Sequence, residues 1–314
     1  MKKALIVGTP TANSSYESGA TLRLDTISAI LEFCGFEVTK SSTKFSNSHL
    51  NVKWDLLVCV SFATIRKVFR TSIRYRDFWF DPCDSWHLVR RSQFKEGNIK
   101  SLIAYPLDIF SIKRMTQPDL VTFINQRDAK WETKYLESRN LNPLILPNQI
   151  TKYVLNESTE RRLIFLGDGG YSPNRVAVKQ IVKILRTYNI EMNLKVIGRN
   201  YTDQKNDRVE YLGYVPSPSL FHKGDIMIAP MTSGGGVKMK VVNALTAGIS
   251  VVTNPEGASG LRDLPNLHVY NSPQDIADCV KKLLTVEHIK NVPTQNPYLD
   301  DDYLEVVNWL KHRP

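Results

Sequence analysis

Cysteine is scarce in this chain. There are four in 314 residues, and Cys34, Cys59, Cys83 and Cys279 form no Cys-x-x-Cys pair. That spacing argues against a disulfide framework and fits reduced, mostly buried thiols in a cytoplasmic protein. The six histidines are scattered as well, which speaks against a zinc site built from protein ligands. Long hydrophobic runs are also lacking. The chain opens Met-Lys-Lys, but the apolar run Ala4 to Val7 is too short for the core of a signal peptide, and no segment approaches the length of a membrane span. Internal repeats, low-complexity tracts and the signatures of RNA-recognition, zinc-finger or helix-turn-helix modules are absent too.

What is present is the composition of a globular enzyme, long enough for one large or two medium domains. The net charge of +10 is uneven, with +7 in residues 1–150 and +3 in 151–314. Arg66 to Arg76 holds no acid in eleven residues, and further cations gather at Arg90, Arg91 and Lys95. If Arg66 to Arg76 is helical, Val68 and Phe69 with Ile73 form a narrow apolar seam flanked by cations. Such a segment suits a solvated helix face, an anionic membrane surface, a polyanionic acceptor or, with less support, nucleic acid.

Strand and helix patterns alternate along the chain. Strands are predicted at Ala4 to Val7, Phe36 to Val38, Asp55 to Val60, Phe78 to Phe80, Leu102 to Tyr105 and Leu120 to Ile124, with a helix from about Ala20 to Phe33 ended by Gly35. Pro143 to Asn148 closes this first set, and the polar stretch Gln149 to Arg162 reads as a linker. The alternation restarts at Leu163, with helices expected over Arg175 to Tyr188, Ala277 to Leu284 and Asp302 to Lys311. Strands separated by helix-length segments imply parallel, doubly wound α/β sheets.

Asp225 to Leu261 carries the most chemistry. A strand, Asp225 to Ala229, runs into Pro230-Met-Thr-Ser-Gly-Gly-Gly236, then a helical stretch Val237 to Ala247, Gly248 and a second strand, Ile249 to Thr253. Gly234, Gly235 and Gly236 open a helix with Lys238 and Lys240 in its first turn. Backbone N–H groups, the positive end of the helix and two ammonium groups together suit an anion such as a phosphate. A flexible turn beside two solvated lysines is the competing reading.

The order Gly236-Val-Lys-Met-Lys-Val-Val-Asn-Ala-Leu-Thr-Ala-Gly-Ile-Ser-Val-Val252, followed by Gly257-Ala-Ser-Gly-Leu261, resembles the donor-binding segment of glycosyltransferase family 4. Upstream, Leu163 to Asn174, Leu194 to Arg199 and Val209 to Val215 are similar to that family's preceding strands and loops. The likeness spans about residues 163 to 261. It is weaker earlier, where Gly19 followed by Arg23, Asp81 to Ser85, and Pro147-Asn148 echo the acceptor domain.

The resemblance implies an α/β GT-B fold: two Rossmann-like doubly wound domains facing across a cleft. The acceptor domain would be residues 1–150 plus about 298–314, and the donor domain 151–297. It implies a glycosyltransferase that takes a sugar from a nucleoside-diphosphate sugar, UDP or GDP, to an acceptor hydroxyl with retention, in cell-envelope polysaccharide or glycoconjugate synthesis. No cofactor or metal is expected, because fixed cations and a helix start would meet the diphosphate charge. Gly234, Gly235, Gly236 and Lys240, assisted by Lys238 or Arg199, would hold that diphosphate and stabilise its departure. Tyr214 and Val215 would border the base, Gly167 would lie in the opening loop of the donor domain, and Gly19 would approach the phosphates from the other side. Asn243 stands where relatives carry a carboxylate for the ribose, and Gly235 where many carry another glutamate. Lys240, Asp84 and His87 are the candidate catalytic residues, with Asp81 beside them as an acceptor ligand.

Three other readings stay open. The basic first half suits glycosylation of a modified base in DNA, Asn243 and Gly235 suit a catalytically silent nucleotide-sugar-binding partner, and the architecture also suits a sugar-nucleotide epimerase. The acceptor could be a glycan, a lipid-linked molecule or another hydroxyl compound. A lipid-linked acceptor would place this cytoplasmic protein at the inner face of the membrane, with Arg66 to Arg76 against the anionic surface.

Overall fold

The computed structural model describes residues 1–8, 19–42, 45–95, 99, 106, 110, 116–158, 160–201, 207–215, 220–233, 235–286 and 295–313. The chain divides into two compact units, Met1–Gln149 with Asp300–Pro314, and Ile150–Leu299.

In the first unit β1 (Lys2–Val7), β2 (Phe36–Ser41), β3 (Lys53–Val60), β4 (Arg74–Cys83), β5 (Leu120–Phe123) and β6 (Leu144–Ile145) form one sheet in the order β2-β1-β3-β4-β5-β6. Every pairing is parallel. A parallel sheet is covered on both faces, so its strands are near-continuous apolar runs whose alternate residues feed two separate cores. Ala4, Ile6, Leu56, Val58 and Trp79 pack on one side with Leu24, Ile27 and Leu31 of the helix Gly19–Phe33. Leu5, Val7, Leu57, Cys59, Phe78 and Phe80 pack on the other, with Phe62, Ile65 and Val68 of the helix Phe62–Val68.

The helix Tyr303–Lys311 belongs to this unit. Val306, Val307 and Leu310 are buried in the same core as Ile27 and Trp79. Asp302 fixes its start: the Ile145 N–H donates to Asp302 Oδ2 at 2.6 Å, and the Asp302 N–H returns a bond to the Ile145 carbonyl at 2.7 Å. Beyond the helix, the Arg313 guanidinium reaches Asp77 at 3.0 Å and Asp119 at 3.2 Å.

Two expectations for this unit are corrected. Arg66 to Arg76 is not one helix: the helix stops at Val68 and β4 begins at Arg74. The supposed seam is core instead. Val68 and Ile73 are buried, and Phe69 packs on the same cluster, edge-on to Phe78 with ring centroids 5.5 Å apart. The apolar side chains that would have entered a membrane are therefore taken by the sheet. The second correction concerns β4, which runs on past Phe80 and carries Asp81 inside the strand rather than in a loop. The strand expected at Leu102 to Tyr105 lies outside the described residues.

In the second unit β7 (Arg162–Leu166), β8 (Leu194–Ile197), β9 (Val209–Gly213), β10 (Asp225–Ala229), β11 (Ser250–Thr253) and β12 (Leu267–Val269) form another parallel sheet, in the order β12-β11-β10-β7-β8-β9. β7 and β10 are buried along their whole length and adjoin at the centre. Arg162 and Asp225, opposite each other in register, form a buried two-point ion pair with Nε–Oδ1 and Nη2–Oδ2 each 2.6 Å. The helices Ser172–Thr187 and Pro273–Thr285 contribute Ala177, Val178, Ile181, Ile276 and Val280 to the core. Among the described residues no helix is long and apolar enough to cross a membrane.

Candidate donor site in the second unit

Open parallel sheets bind ligands at the carboxyl ends of their strands, and here those ends crowd together. The chain leaving β7 passes so close to the chain leaving β8 that a Cβ on Gly198 would stand 1.8 Å from the Gly167 carbonyl oxygen. Backbone bonds hold the two segments: Gly167 N–H to the Ile197 carbonyl at 3.0 Å, and Gly169 N–H to the Arg199 carbonyl at 2.8 Å.

Lys240, in the first turn of the helix Met239–Thr246, reaches across to β7. Its ammonium lies 4.2 Å from the Phe165 ring centroid and donates to the side-chain oxygen of Asn174, a buried residue in the first turn of the helix Ser172–Thr187. The side-chain NH₂ of Asn174 donates in turn to the Asp168 carbonyl at 2.8 Å. An ammonium has three donors, and among the described residues no other acceptor is recorded for this one. Although the residue as a whole is only half-buried, its charged end is enclosed. Burial, reinforced by the nearby charge of Lys238, pushes the Lys240 pKa down to about 7.

Lys238 plays a different part. Its buried ammonium donates to the carbonyls of Gly235 and Gly236 and to Glu256 Oε1, each at 3.2 Å. Expected beside the diphosphate, it instead fixes the glycine loop by its oxygens. Gly236 has φ +65°, within the left-handed region that glycine adopts readily. Gly234 lies outside the described residues.

Asn243, one turn beyond Lys240, carries a buried Oδ1 with no partner among the described residues. Arg199 lies 4.9 Å from the centroid of the exposed Tyr214 ring, and Val215 is half-buried just beyond β9.

Other expected site residues belong to the first unit. Gly19 is exposed at the start of its helix. Asp84 and His87 are half-buried at the carboxyl end of β4 and in the first turn of the helix Trp86–Lys95, where the His87 ring lies 6.0 Å from that of Trp131. Asp81 is corrected. It is wholly buried, accepts from Arg23 Nε at 2.9 Å and also binds Arg23 Nη2 and Thr122. With no exposed surface it cannot hold an acceptor.

Sequence reasoning missed Asn174 and Glu256 as well as the pair Asp128 and Glu132. Those last two carboxylates receive the start of the helix Trp86–Lys95: Ser85 N–H donates to Asp128 at 2.6 Å, and Ser85 Oγ and His87 N–H donate to Glu132 at 2.8 and 3.2 Å. Their i, i+4 spacing on one helix was the available signal.

Gly167 tests how tightly the site is built. A Cβ there would stand 2.7 Å from the Asn174 side chain and 2.9 Å from Lys240 Nζ. Gly167→Ala is expected to displace the ammonium and weaken nucleotide binding by about tenfold, or about 1.4 kcal/mol. The displaced atoms are ends of side chains, so the melting temperature should change little. Titration calorimetry beside a thermal melt checks both.

Residues 160–286, which contain all of these second-unit groups, match the family described as Glycosyl transferases group 1. That stretch, 127 of the 314 residues, is similar to a glycosyltransferase domain. A search of curated proteins finds no match to the sequence. Solved structures share the fold at low identity. Sucrose-phosphate synthase from Thermosynechococcus elongatus is 10% identical with a TM-score of 0.63, covering 90% of each chain. HepE from Anabaena, in complex with UDP and glucose, is 13% identical with a TM-score of 0.59, covering 91% of this chain and 90% of that one. TarM from S. aureus, as a variant in complex with fondaparinux, α-GlcNAc-glycerol and UDP, is 14% identical with a TM-score of 0.54, covering 74% of this chain and 48% of that one. The chain thus has the GT-B architecture, with one parallel sheet of six strands in each unit.

Proposed function

We propose that this protein is a glycosyltransferase that moves a sugar from a UDP- or GDP-sugar to an acceptor hydroxyl, with retention at the anomeric carbon, in the synthesis of cell-envelope polysaccharide or another glycoconjugate. The carrying observation is the Lys240 ammonium, enclosed at the carboxyl end of β7 with a neutral acceptor as its hydrogen-bond partner. A diphosphate supplies the missing countercharge. As the bond to the sugar breaks, negative charge grows on the departing phosphate, and an ammonium already in place stabilises it. Backbone N–H groups of Gly235 and Gly236, held by Lys238, add donors without a metal. A ribose hydroxyl satisfies the orphaned oxygen of Asn243. Arg199 and Tyr214 border the base.

The leaving phosphate takes the acceptor's proton, and Asp84 and His87 of the first unit orient the acceptor. HepE, solved with UDP, makes UDP-glucose the first donor to try. The acceptor is a glycan or a lipid-linked hydroxyl compound, and in the lipid-linked case the cytoplasmic protein works at the inner face of a membrane.

A thermal-shift series with UDP, GDP, ADP and dTDP sugars is the direct test, followed by NMR of the product's anomeric configuration. Ligand at a hundred times its Kd stabilises the native state by about 2.7 kcal/mol. A series with no stabilising nucleotide sugar would sink the proposal. Binding without turnover on any acceptor would instead favour the silent-partner reading, which Asn243 and Gly235 motivate by standing where carboxylates are usual.

A further inference from the structure

We propose that Asn174 is a positioning residue for the donor site: its amide oxygen holds the Lys240 ammonium at the end of β7 and, being neutral, leaves the positive charge unanswered until an anion arrives. The inference rests on reading this region as the donor site.

The orientation of the amide is fixed by its partners. The Asp168 carbonyl can only accept and the Lys240 ammonium can only donate, so the NH₂ must face Asp168 and the oxygen must face Lys240. Asn174 itself is anchored, with its N–H on the Tyr171 carbonyl at 3.0 Å. Gly167 completes the arrangement, since any side chain there would occupy the space of both groups.

The choice of residue has a chemical consequence. An aspartate of the same shape would form an ion pair with Lys240, keep it protonated and compete with the diphosphate for it. A leucine would remove the acceptor and leave the ammonium loose against the Phe165 ring. Asparagine alone among these fixes position without supplying charge. The lowered proton affinity of Lys240 agrees with a cation that has no countercharge beside it.

The experiment compares wild type with Asn174→Asp and Asn174→Leu, using UDP-glucose as the probe, by calorimetry from pH 6 to pH 9. In parallel, the titration of Lys240 is followed in ligand-free protein by the pH dependence of its acylation, read by mass spectrometry. Asn174→Asp is expected to raise the Lys240 pKa by about one unit or more. It should also lower the affinity for UDP-glucose by about tenfold and move the pH at which affinity declines upward. Asn174→Leu should weaken UDP-glucose binding at pH 7, with partial recovery at pH 6, while thermal melts show both variants folded. Folded variants that titrate Lys240 as wild type does would overturn the proposal. Failure of wild type to bind any nucleotide would sink the donor-site reading, and the ligand-free titration would still judge the Asn174 contact.

Discussion

Lys240→Met is expected to weaken UDP-sugar binding by about a hundredfold, to slow transfer by at least as much, and to leave the protein more stable at pH 7. A charge-assisted contact to a departing phosphate is worth about 2.7–4 kcal/mol when its donor is preorganised in a site of this kind. The stability gain follows from linkage. An unfolded lysine titrates near 10.4, whereas burial lowers that of Lys240 to about 7. Between those values the unfolded chain binds the extra proton, so native stability rises with pH across the window and is penalised at its lower end. A methionine fills the same space beside Phe165 without that penalty. We expect a gain of about 1 kcal/mol, or 2–4 °C, in a thermal melt. Loss of binding with a lower melting temperature would contradict the enclosed-ammonium picture.

The same group gives binding a pH dependence with a definite sign. A diphosphate favours the protonated lysine, so the complex has the higher pKa and binding takes up a proton. Affinity should stay flat below about pH 7 and fall by up to tenfold per unit above it. A nucleotide sugar is the better probe, because its diphosphate has no monoester group titrating near pH 6. Calorimetry of wild type across pH 6 to pH 9 should show the slope, and Lys240→Met should abolish it.

Deleting residues 300–314 is expected to unfold the first unit while the second stays folded. Val306, Val307 and Leu310 are almost fully buried. Burial contributes about 1.5–3 kcal/mol for each, offset in part by the cost of ordering the helix. Their removal also uncovers Ile27, Trp79 and the rest of that core face, against a total stability of about 5–15 kcal/mol for a typical domain. Asp302 and Arg313 would go with them. Hydrogen exchange read by mass spectrometry should show β1 and β3 exchanging rapidly and β7 and β10 still protected. Protection retained across the first unit would refute the helix's role.

The sequence made the alternation and the glycine-lysine segment before the helix Met239–Thr246 legible because both depend on local signals. β10 lies where its apolar run stops, and the donor segment keeps a spacing that a family resemblance exposes. Arg66 to Arg76 was misread because helical spacing of Val68, Phe69 and Ile73 says which residues are apolar, not what covers them. Asp81 was misread for a related reason. Arg23, Asp81 and Asn148, noticed as three separate echoes, are parts of one buried hub: Arg23 binds Asp81, the Leu146 carbonyl and, at 3.3 Å, Asn148. Long-range pairing of that kind leaves no periodicity. Asn174 escaped for the same reason, because its partner lies 66 residues away.

The return of the chain to its first sheet sets an order on biosynthesis. A ribosome releases the whole second unit before it reaches Val306, so the earlier-made unit must wait, with one flank of its core uncovered, for the later one to be finished. Domains commonly mature in the sequence in which they emerge. Here the second unit, Ile150–Leu299, is complete first, and the nascent amino-terminal half is the part exposed to chaperones and proteases in the interval.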